Sequence, residues 1–218
     1  VVGTLSATDQ DSGDSHSYTL SGTDADQFEI VGDQLQLASN ASVDFESKTS
    51  YAVTVTASDA DGKSVSDDFT ISVNDVNEAP TVGFTAAAIA ENSTGIVVGD
   101  LTINDQDTGD THTLALSGDD AGLFEIVAGK LQLKTDASLD HENPDGYAVT
   151  VTATETGTDG LASSNDIIIT ANDVNDSPTA IGLDASDIDE NSQGGAVVGT
   201  LSATDQDSGD SHSYTLSG

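Results

Sequence analysis

Apolar and polar residues alternate with a period of two in short runs along the chain, most plainly in Tyr51–Ala57 (YAVTVTA) and Tyr147–Ala153 (YAVTVTA). Side chains that turn apolar at every second position mark a half-buried β-strand. Within residues 81–178 such runs fall at 83–90, 97–103, 113–117, 123–127, 130–133, 147–155 and 164–172, separated by clusters of Gly, Asp, Asn and Pro. Seven short strands with one apolar face each predict an all-β fold, two packed sheets with Greek-key connections in the manner of an immunoglobulin-like sandwich. The predicted core is Leu101, Leu114, Leu116, Phe124, Ile126, Leu131, Leu133, Tyr147, Val149, Val151, Ile167 and Ile169. No helical period of useful length occurs.

The same pattern recurs. Val1 to Gly22 return unchanged as Val197 to Gly218, an offset of 197 − 1 = 196. Between them lies a diverged copy: Asp9-Gln10-Asp11 matches Asp105-Gln106-Asp107 and Asp205-Gln206-Asp207, at offsets of 96 and then 100. The unit is therefore a module of about 100 residues, the size of one sandwich. Residues 1–80 form a repeat that lacks its first strand, with Phe28, Ile30, Leu35, Leu37, Tyr51, Val53, Val55, Phe69 and Ile71 as its core. Residues 81–178 form a complete repeat, and 179–218 begin a third. Two broken repeats expose sheet edges, so residues 179–196 of one molecule are expected to complete residues 1–80 of another, end to end.

Composition changes the picture in one respect. With 39 acidic residues against 4 basic ones, a net charge of −35, 35% hydrophobic and 4% aromatic residues, the chain resembles a disordered one by composition alone. The period-two runs override that reading. The charge disfavours nucleic-acid backbones and anionic membranes as partners and favours cations. There is no cysteine, which excludes disulfides and thiolate metal sites, and no apolar run approaches the roughly 18 residues of a membrane span.

The acids gather in turns. Two joints, Asn74-Asp75-Val76-Asn77-Glu78-Ala79-Pro80 and Asn172-Asp173-Val174-Asn175-Asp176-Ser177-Pro178, close one repeat and open the next. Carboxylate, amide and carbonyl oxygens in this number suit calcium, which takes 6–8 oxygens. Two carboxylates about 4 Å apart repel by roughly 4 kcal/mol at an effective dielectric of 20. A domain stable by about 5–15 kcal/mol cannot hold several such pairs without counter-ions. An EF-hand starting at Asp9 fails, with Asp14 at its sixth position and Leu20 at its twelfth. Gly13-Asp14-Ser15 lacks the companion blocks of a hydrolase, so no enzyme is predicted. His16, His112 and His212 occupy one repeat position and read as turn residues, and His141 reads as pointing outward.

Four motifs in order resemble those of cadherin repeats, in the form seen in large bacterial surface adhesins of the RTX or biofilm type. The acid of the first strand region resembles Glu91 and Glu190. The LDxE motif resembles Leu139-Asp140-His141-Glu142 and, with Val43 for Leu, Asp44 with Glu46. The DxD motif resembles Asp9 with Asp11, Asp105 with Asp107, and Asp205 with Asp207; the DxNDNxP joint resembles Asp75–Pro80 and Asp173–Pro178. The resemblance implies calcium ions at each joint. For the second, the ligands implied are Glu91, Asp140, Glu142, Asp173, Asp176, the Val174 carbonyl, Asn175, the Ser177 carbonyl, Asp205 and Asp207. For the first, they are Asp44, Glu46, Asp75, Glu78, the Val76 carbonyl, Asn77, the Ala79 carbonyl, Asp105 and Asp107. Asp59 fits the family's further Asp; in the next repeat Glu155 or Asp159 must replace it. No Glu precedes Val1 and no such Asp follows Gly218, so each joint is expected to hold one ion incompletely unless a neighbouring molecule contributes. The implied role is a calcium-stiffened extender in an extracellular, cell-surface adhesin, with calcium, neighbouring repeats and possible further copies as partners, and no membrane insertion in this stretch. The alternative is a homophilic or carbohydrate-binding module, the latter weakened by sparse aromatics.

Overall fold

The computed structural model describes residues 1–11, 13–157 and 160–218. The chain divides into two compact units, Val1–Glu78 with Gln106–Thr108, and Ala79–Asp105 with Gly109–Gly218.

In the second unit the seven predicted strands are β7 (Thr81–Ala86), β8 (Val97–Asn104), β9 (His112–Ser117), β10 (Phe124–Val127), β11 (Lys130–Leu133), β12 (Tyr147–Glu155) and β13 (Ala162–Ile169). The first unit has β1 (Gly3–Thr4), β2 (Ser17–Ser21), β3 (Phe28–Val31), β4 (Gln34–Leu37), β5 (Ser50–Ser58) and β6 (Ser64–Ser72). β14 (Ala180–Leu183) and β15 (Leu201–Thr204) follow at the end of the second unit.

One sheet of the second unit runs β10-β11-β8-β7 and the other β13-β12-β9; their inner faces enclose Phe124, Leu131, Leu133, Val149, Val151, Ile167 and Ile169. All twelve predicted core positions of this repeat lie in or against that cluster. Val98 and four residues outside the strands, Ile89, Ala137, Leu139 and Ala171, join it as well.

Two strand ends differ from expectation for one reason. The first strand stops at Ala86 instead of residue 90, and the last at Ile169 instead of residue 172. The chain crosses from one sheet to the other after Ala86. There Ala90 makes a parallel bridge to Asn172, whose N–H donates to the Ile89 carbonyl at 2.8 Å, while the Glu91 N–H donates to the Asn172 carbonyl at 3.0 Å. Ala86, Ala87 and Ala88 carry no turn signal across the crossing, which is why the sequence reads as one long strand although the inward phase shifts between Phe84 and Ile89.

Among the described residues the first unit repeats this plan without a counterpart of β7, its sheets being β1-β4-β3 and β2-β5-β6. Its core is Phe28, Leu35, Tyr51 and Val53, with Leu20, Ile30, Leu37 and Ile71 packed against them; Val55 is buried too. Phe69, expected in this core, is instead exposed, because among the described residues no strand lies over β6 as β7 lies over β13. Among the described residues no helix is long and apolar enough to cross a membrane.

Candidate metal centre

Glu91 sits two residues beyond the sheet crossing that buries Ile89, so its side chain is carried inward with the core. It is buried, and both oxygens meet backbone donors: Oε2 accepts the His141 N–H at 2.8 Å and Oε1 the Val174 N–H at 2.7 Å. These bonds, led by that from His141, hold its carboxyl below the usual range. An ionised Glu91 thereby ties the loop before β12 to the joint at 172–178.

That loop is anchored by buried Leu139 and by the Asp140 N–H, which donates to the Tyr147 hydroxyl at 2.7 Å. Asp140 Oδ1 accepts the Glu142 N–H at 2.9 Å and turns Glu142 toward Glu91. Burial, followed by Asp140 and Glu91, pushes the Glu142 carboxyl up. Oxygens of Glu91, Glu142 and Asp173 lie within 4.8 Å of one another, and Glu142 Oε2 is buried without a hydrogen-bond partner. A buried acceptor left unmade is costly, and a hard cation held by three carboxylates would satisfy it.

The loop carrying Asp205 and Asp207 is drawn to the same joint. The Asp176 N–H donates to Asp207 Oδ2 at 2.5 Å, and Gln206 Nε2 to Asp140 Oδ2 at 3.3 Å. Asn92, turned at φ 59, donates from Nδ2 to Asp176 Oδ1 at 3.1 Å. Asn175 uses its amide on the Asp176 carbonyl at 2.7 Å.

The first unit contains the corresponding cluster of Glu46, Glu78 and Asp107, again with oxygens within 4.8 Å. The Glu78 N–H donates to Asp107 Oδ2 at 2.8 Å, repeating the Asp176–Asp207 contact, and Glu78 Oε2 is buried with no partner. Asp44 holds the turn, accepting the Glu46 N–H at 3.0 Å and the Ser47 hydroxyl at 2.7 Å; the Ser47 hydroxyl is the leading reason its carboxyl lies low. The Glu46 N–H pulls its own carboxyl down. Desolvation, Asp44 and the charges of Asp75 and Glu78 outweigh it and hold that carboxyl up.

A third group joins Asp105, His112 and Glu155 at the opposite end of the complete sandwich. Glu155, buried at the end of β12, stands where the preceding repeat has Asp59; Asp159, its alternative, lies outside the described residues. Asp59 closes its own turn, accepting the N–H groups of Asp61 at 2.9 Å and Lys63 at 2.8 Å, and lines a cleft with Asp9 and His16. Asp9 accepts the Asp11 N–H at 3.0 Å, which leads the lowering of its carboxyl. Val76, Ala79, Val174, Ser177 and Glu190 are exposed and Asn77 is half-buried. Among the described residues Glu190 belongs to none of the three groups.

Sequence reasoning missed the histidines. His16, His112 and His212 stand 3.5, 2.7 and 2.8 Å from Asp9, Asp105 and Asp205, the first Asp of each DxD motif. The spacing of seven residues in all three copies was the available signal. His212 is the main cause of the lowered Asp205 carboxyl. His141 is exposed but tied, its Nδ1–H donating to the Ala171 carbonyl at 2.8 Å. That carbonyl is the first cause of its raised pKa.

Comparison with known proteins places these features in a family. The family model of the cadherin domain matches residues 1–74 and 85–171. Protocadherin gamma-A1 of Homo sapiens is 30% identical over 227 residues, an alignment that takes in 98% of this chain and 24% of that protein. Among solved structures, the protocadherin gammaB7 EC3-6 cis-dimer structure is 30% identical with a TM-score of 0.52, covering 89% of this chain and 49% of that one. Mouse cadherin-23 EC22-24 is 25% identical with a TM-score of 0.55, covering 89% and 66%.

Proposed function

The chain belongs to the cadherin domain family, an adhesion family that is non-enzymatic, and from that premise we propose that it is a calcium-stiffened extender of an extracellular adhesin. Its repeats divide at the two joints, 1–80, 81–178 and 179–218. Cadherin domains bind calcium at inter-domain linkers, and the observation that carries the reading to this chain is the orphaned, buried Glu142 Oε2 among Glu91, Glu142 and Asp173. Glu91 and Glu142 belong to the complete repeat, Asp173 and Asp176 to the joint, and Asp207 to the repeat that follows. Asp140, Asp176, Asn175, the Val174 and Ser177 carbonyls, and Asp205 with Asp207 are the further oxygens that would hold the metal. In the first unit the matching set is Asp44, Glu46, Asp75, Asn77, Glu78 and Asp107.

Calcium supplies positive charge that offsets the mutual repulsion of these carboxylates. The chain's own contacts already aim the pieces: Glu91 fixes the loop 139–142 against Val174, and Asp207 fixes the Asp176 backbone. With the repulsion neutralised, the joint 172–178 has one geometry. Without it, the acids drive the joint open. Recurring repeats suit a spacer, whose task grows with length rather than with one ligand site. Cysteine-free composition and the exact return of residues 1–22 as 197–218 support a bacterial cell-surface setting.

A second reading is homophilic adhesion, favoured by the similarity to protocadherins, one of them solved as a cis-dimer. Neighbouring repeats are the partners of the extender; a second copy is the partner of the adhesive module. Calcium titration followed by thermal melting and small-angle scattering tests the first reading. Calcium is expected to raise the Tm and the maximum dimension together, and a chelator to reverse both. A chelator that changes neither quantity overturns the extender. Calcium-dependent aggregation of beads coated with the chain would instead favour the adhesive reading.

A further inference from the structure

Two carboxylates at the second joint are held by side chains that carry no charge. Asn92 Nδ2 donates to Asp176 Oδ1 at 3.1 Å, and Gln206 Nε2 donates to Asp140 Oδ2 at 3.3 Å. The two contacts run in opposite directions. Asn92 reaches from the complete repeat to the joint, while Gln206 reaches back to the complete repeat from the loop that follows β15. The Asp176 N–H on Asp207 Oδ2 closes the circuit, since Asp207 stands next to Gln206. On the other side, Asp140 Oδ1 takes the Glu142 N–H at 2.9 Å.

The backbone aims both amides. Asn92 holds a left-handed φ of 59, as Asn191 holds one of 65 at the same place in the following repeat. Glycine takes that conformation at less cost, so the turn alone does not call for asparagine. Asparagine tolerates it and brings an amide. The turn is pinned on both sides of that side chain, the Asn92 N–H donating to the Leu139 carbonyl and the Glu91 N–H to the Asn172 carbonyl, each at 3.0 Å. Gln206 lies between Asp205 and Asp207, whose own bond, Asp207 N–H to Asp205 Oδ1 at 3.3 Å, folds the loop, while His212 holds Asp205 at 2.8 Å. In the first unit the counterpart Gln106 lines a cleft of about 410 Å³ with Asp44, Glu46 and Glu78, and Asp44 is the counterpart of Asp140. The same amide thus stands beside the same carboxylate loop in both units.

We propose that Asn92 and Gln206 are positioning residues that set the calcium affinity of the joint 172–178, an inference that deepens the calcium reading and rests on it. An ammonium could also hold these carboxylates, but a fixed positive group would stand where the ion must stand and repel it. A further carboxylate would add to the repulsion. A neutral amide fixes one oxygen and leaves the charge of the cluster for the cation. A carboxylate offers about four lone-pair sites, so Asp176 and Asp140 accept these bonds and still face an ion. Ligands fixed before the ion arrives lose less freedom on binding, which raises affinity without any new contact to the metal. The amides do not replace calcium: they add no charge, and the repulsion among Glu91, Glu142 and Asp173 remains until a cation offsets it.

Asn92→Gly removes one amide and keeps the turn, and Gln206→Ala removes the other; both positions are exposed, so the chain keeps its fold, which circular dichroism checks. Isothermal titration of the whole chain with calcium should show the affinity of one joint falling about three- to tenfold in each variant, the effect of one modest hydrogen bond, with the other joint unchanged. Repeating Asn92→Gly on Asp176→Asn, and Gln206→Ala on Asp140→Asn, tests the route. Each amide variant should then have no further effect, because the carboxylate it positions has gone. An equal loss in both backgrounds overturns the positioning role. So does a Tm lowered in chelator with calcium affinity unchanged, which assigns the two side chains to structure alone. A second measurement needs no metal. In chelator, solvent exchange of the Asp176 N–H should quicken in Gln206→Ala, because Gln206 holds the loop on which Asp207 accepts that N–H; unchanged exchange refutes the link. If the unaltered chain binds calcium and neither variant weakens it, the positioning role falls and the calcium reading stands. An unaltered chain that takes up no calcium overturns both.

Discussion

The hairpins β5–β6 and β12–β13 pair their residues in matching register, Val53 opposite Phe69 in one and Val149 opposite Ile167 in the other. Their burial differs. Ile167 is 6% exposed and Phe69 41%, although the larger ring has more apolar surface to lose. The difference lies outside the hairpins, in β7, which covers β13 and among the described residues has no counterpart over β6. The crossing at Ile89 that delivers Glu91 to the acidic cluster likewise has no counterpart among the described residues of the first unit. Accordingly Glu142 is half-buried and Glu46, its counterpart, is exposed. A single first strand therefore closes the core and leads into the turn that brings Glu91 to the acidic cluster.

Core truncation sharpens this contrast most. Leu131 and Leu35 occupy equivalent positions, the first fully buried and under a complete sandwich. In chelator, Leu131→Ala should cost about 4 kcal/mol, near the upper part of the range for such cavities. Leu35→Ala should cost about 2 kcal/mol, since an open sandwich relaxes into the void more easily. Calorimetry that resolves the two transitions checks this. Equal losses would show that the missing strand does not loosen the first core.

A smaller effect, with opposite signs in two buffers, comes from Glu142→Gln. The Glu142 carboxyl is pushed up by burial and by its acidic neighbours, so folding in chelator favours the uncharged form. Its contribution is therefore present at low pH and lost as pH rises through the raised folded pKa. At neutral pH the neutral isostere should raise the Tm of the metal-free second unit. In calcium the same variant should forfeit most of the gain from that site, about 2.7 kcal/mol at 100 times the dissociation constant. Glu46→Gln should show both effects more weakly, because Glu46 is exposed. If Glu142→Gln lowers the Tm in chelator, carboxylate crowding is not what strains the empty cluster.

The alternation of Tyr147–Ala153 was enough to read the strands, because a sheet with one wet face imposes period two directly on the sequence. The crossing at Ala86–Ala90 was not legible, since Ala86, Ala87 and Ala88 place no polar or turn residue between the strand and Ile89, and the odd step from Phe84 to Ile89 was the signal overlooked. Ala137, Leu139 and Ala171 escaped notice for a related reason: they reach the core from loops, where no period marks them. Phe69 has the pattern of a core residue and lacks only a neighbour that alternation cannot report. The acidic residues were visible as motifs, but which of them meet depends on backbone donors such as the His141 and Val174 N–H groups, and these carry no sequence signature. The His–Asp pairs were written in the recurring spacing of seven, a signal that becomes meaningful once three copies are aligned.

The smallest expected effect contrasts the turns before β3 and β10. Asp120 Oδ2 accepts the Ala148 N–H at 2.8 Å, and Asp24 Oδ2 does the same for Ala52 at 2.8 Å. Asp24 also faces Lys48 Nζ at 2.5 Å, and that ammonium lies 4.6 Å from the centre of the Tyr51 ring. Lys48 first, then the Ala52 N–H, holds the Asp24 carboxyl below its ordinary value of 3.8. A depressed carboxyl stabilises the fold above its unfolded pKa, and that contribution disappears as pH falls through the lowered folded value. In chelator, Asp24→Asn should therefore melt slightly below the unaltered chain at neutral pH, and the gap should close as pH falls below about 3.8. Roughly 1 M salt, where the screening length is about 3 Å, should remove the Lys48 share and leave that of the Ala52 N–H. A gap that is constant with pH would assign the effect to the side-chain amide rather than to charge, and the two turns would then differ in packing alone.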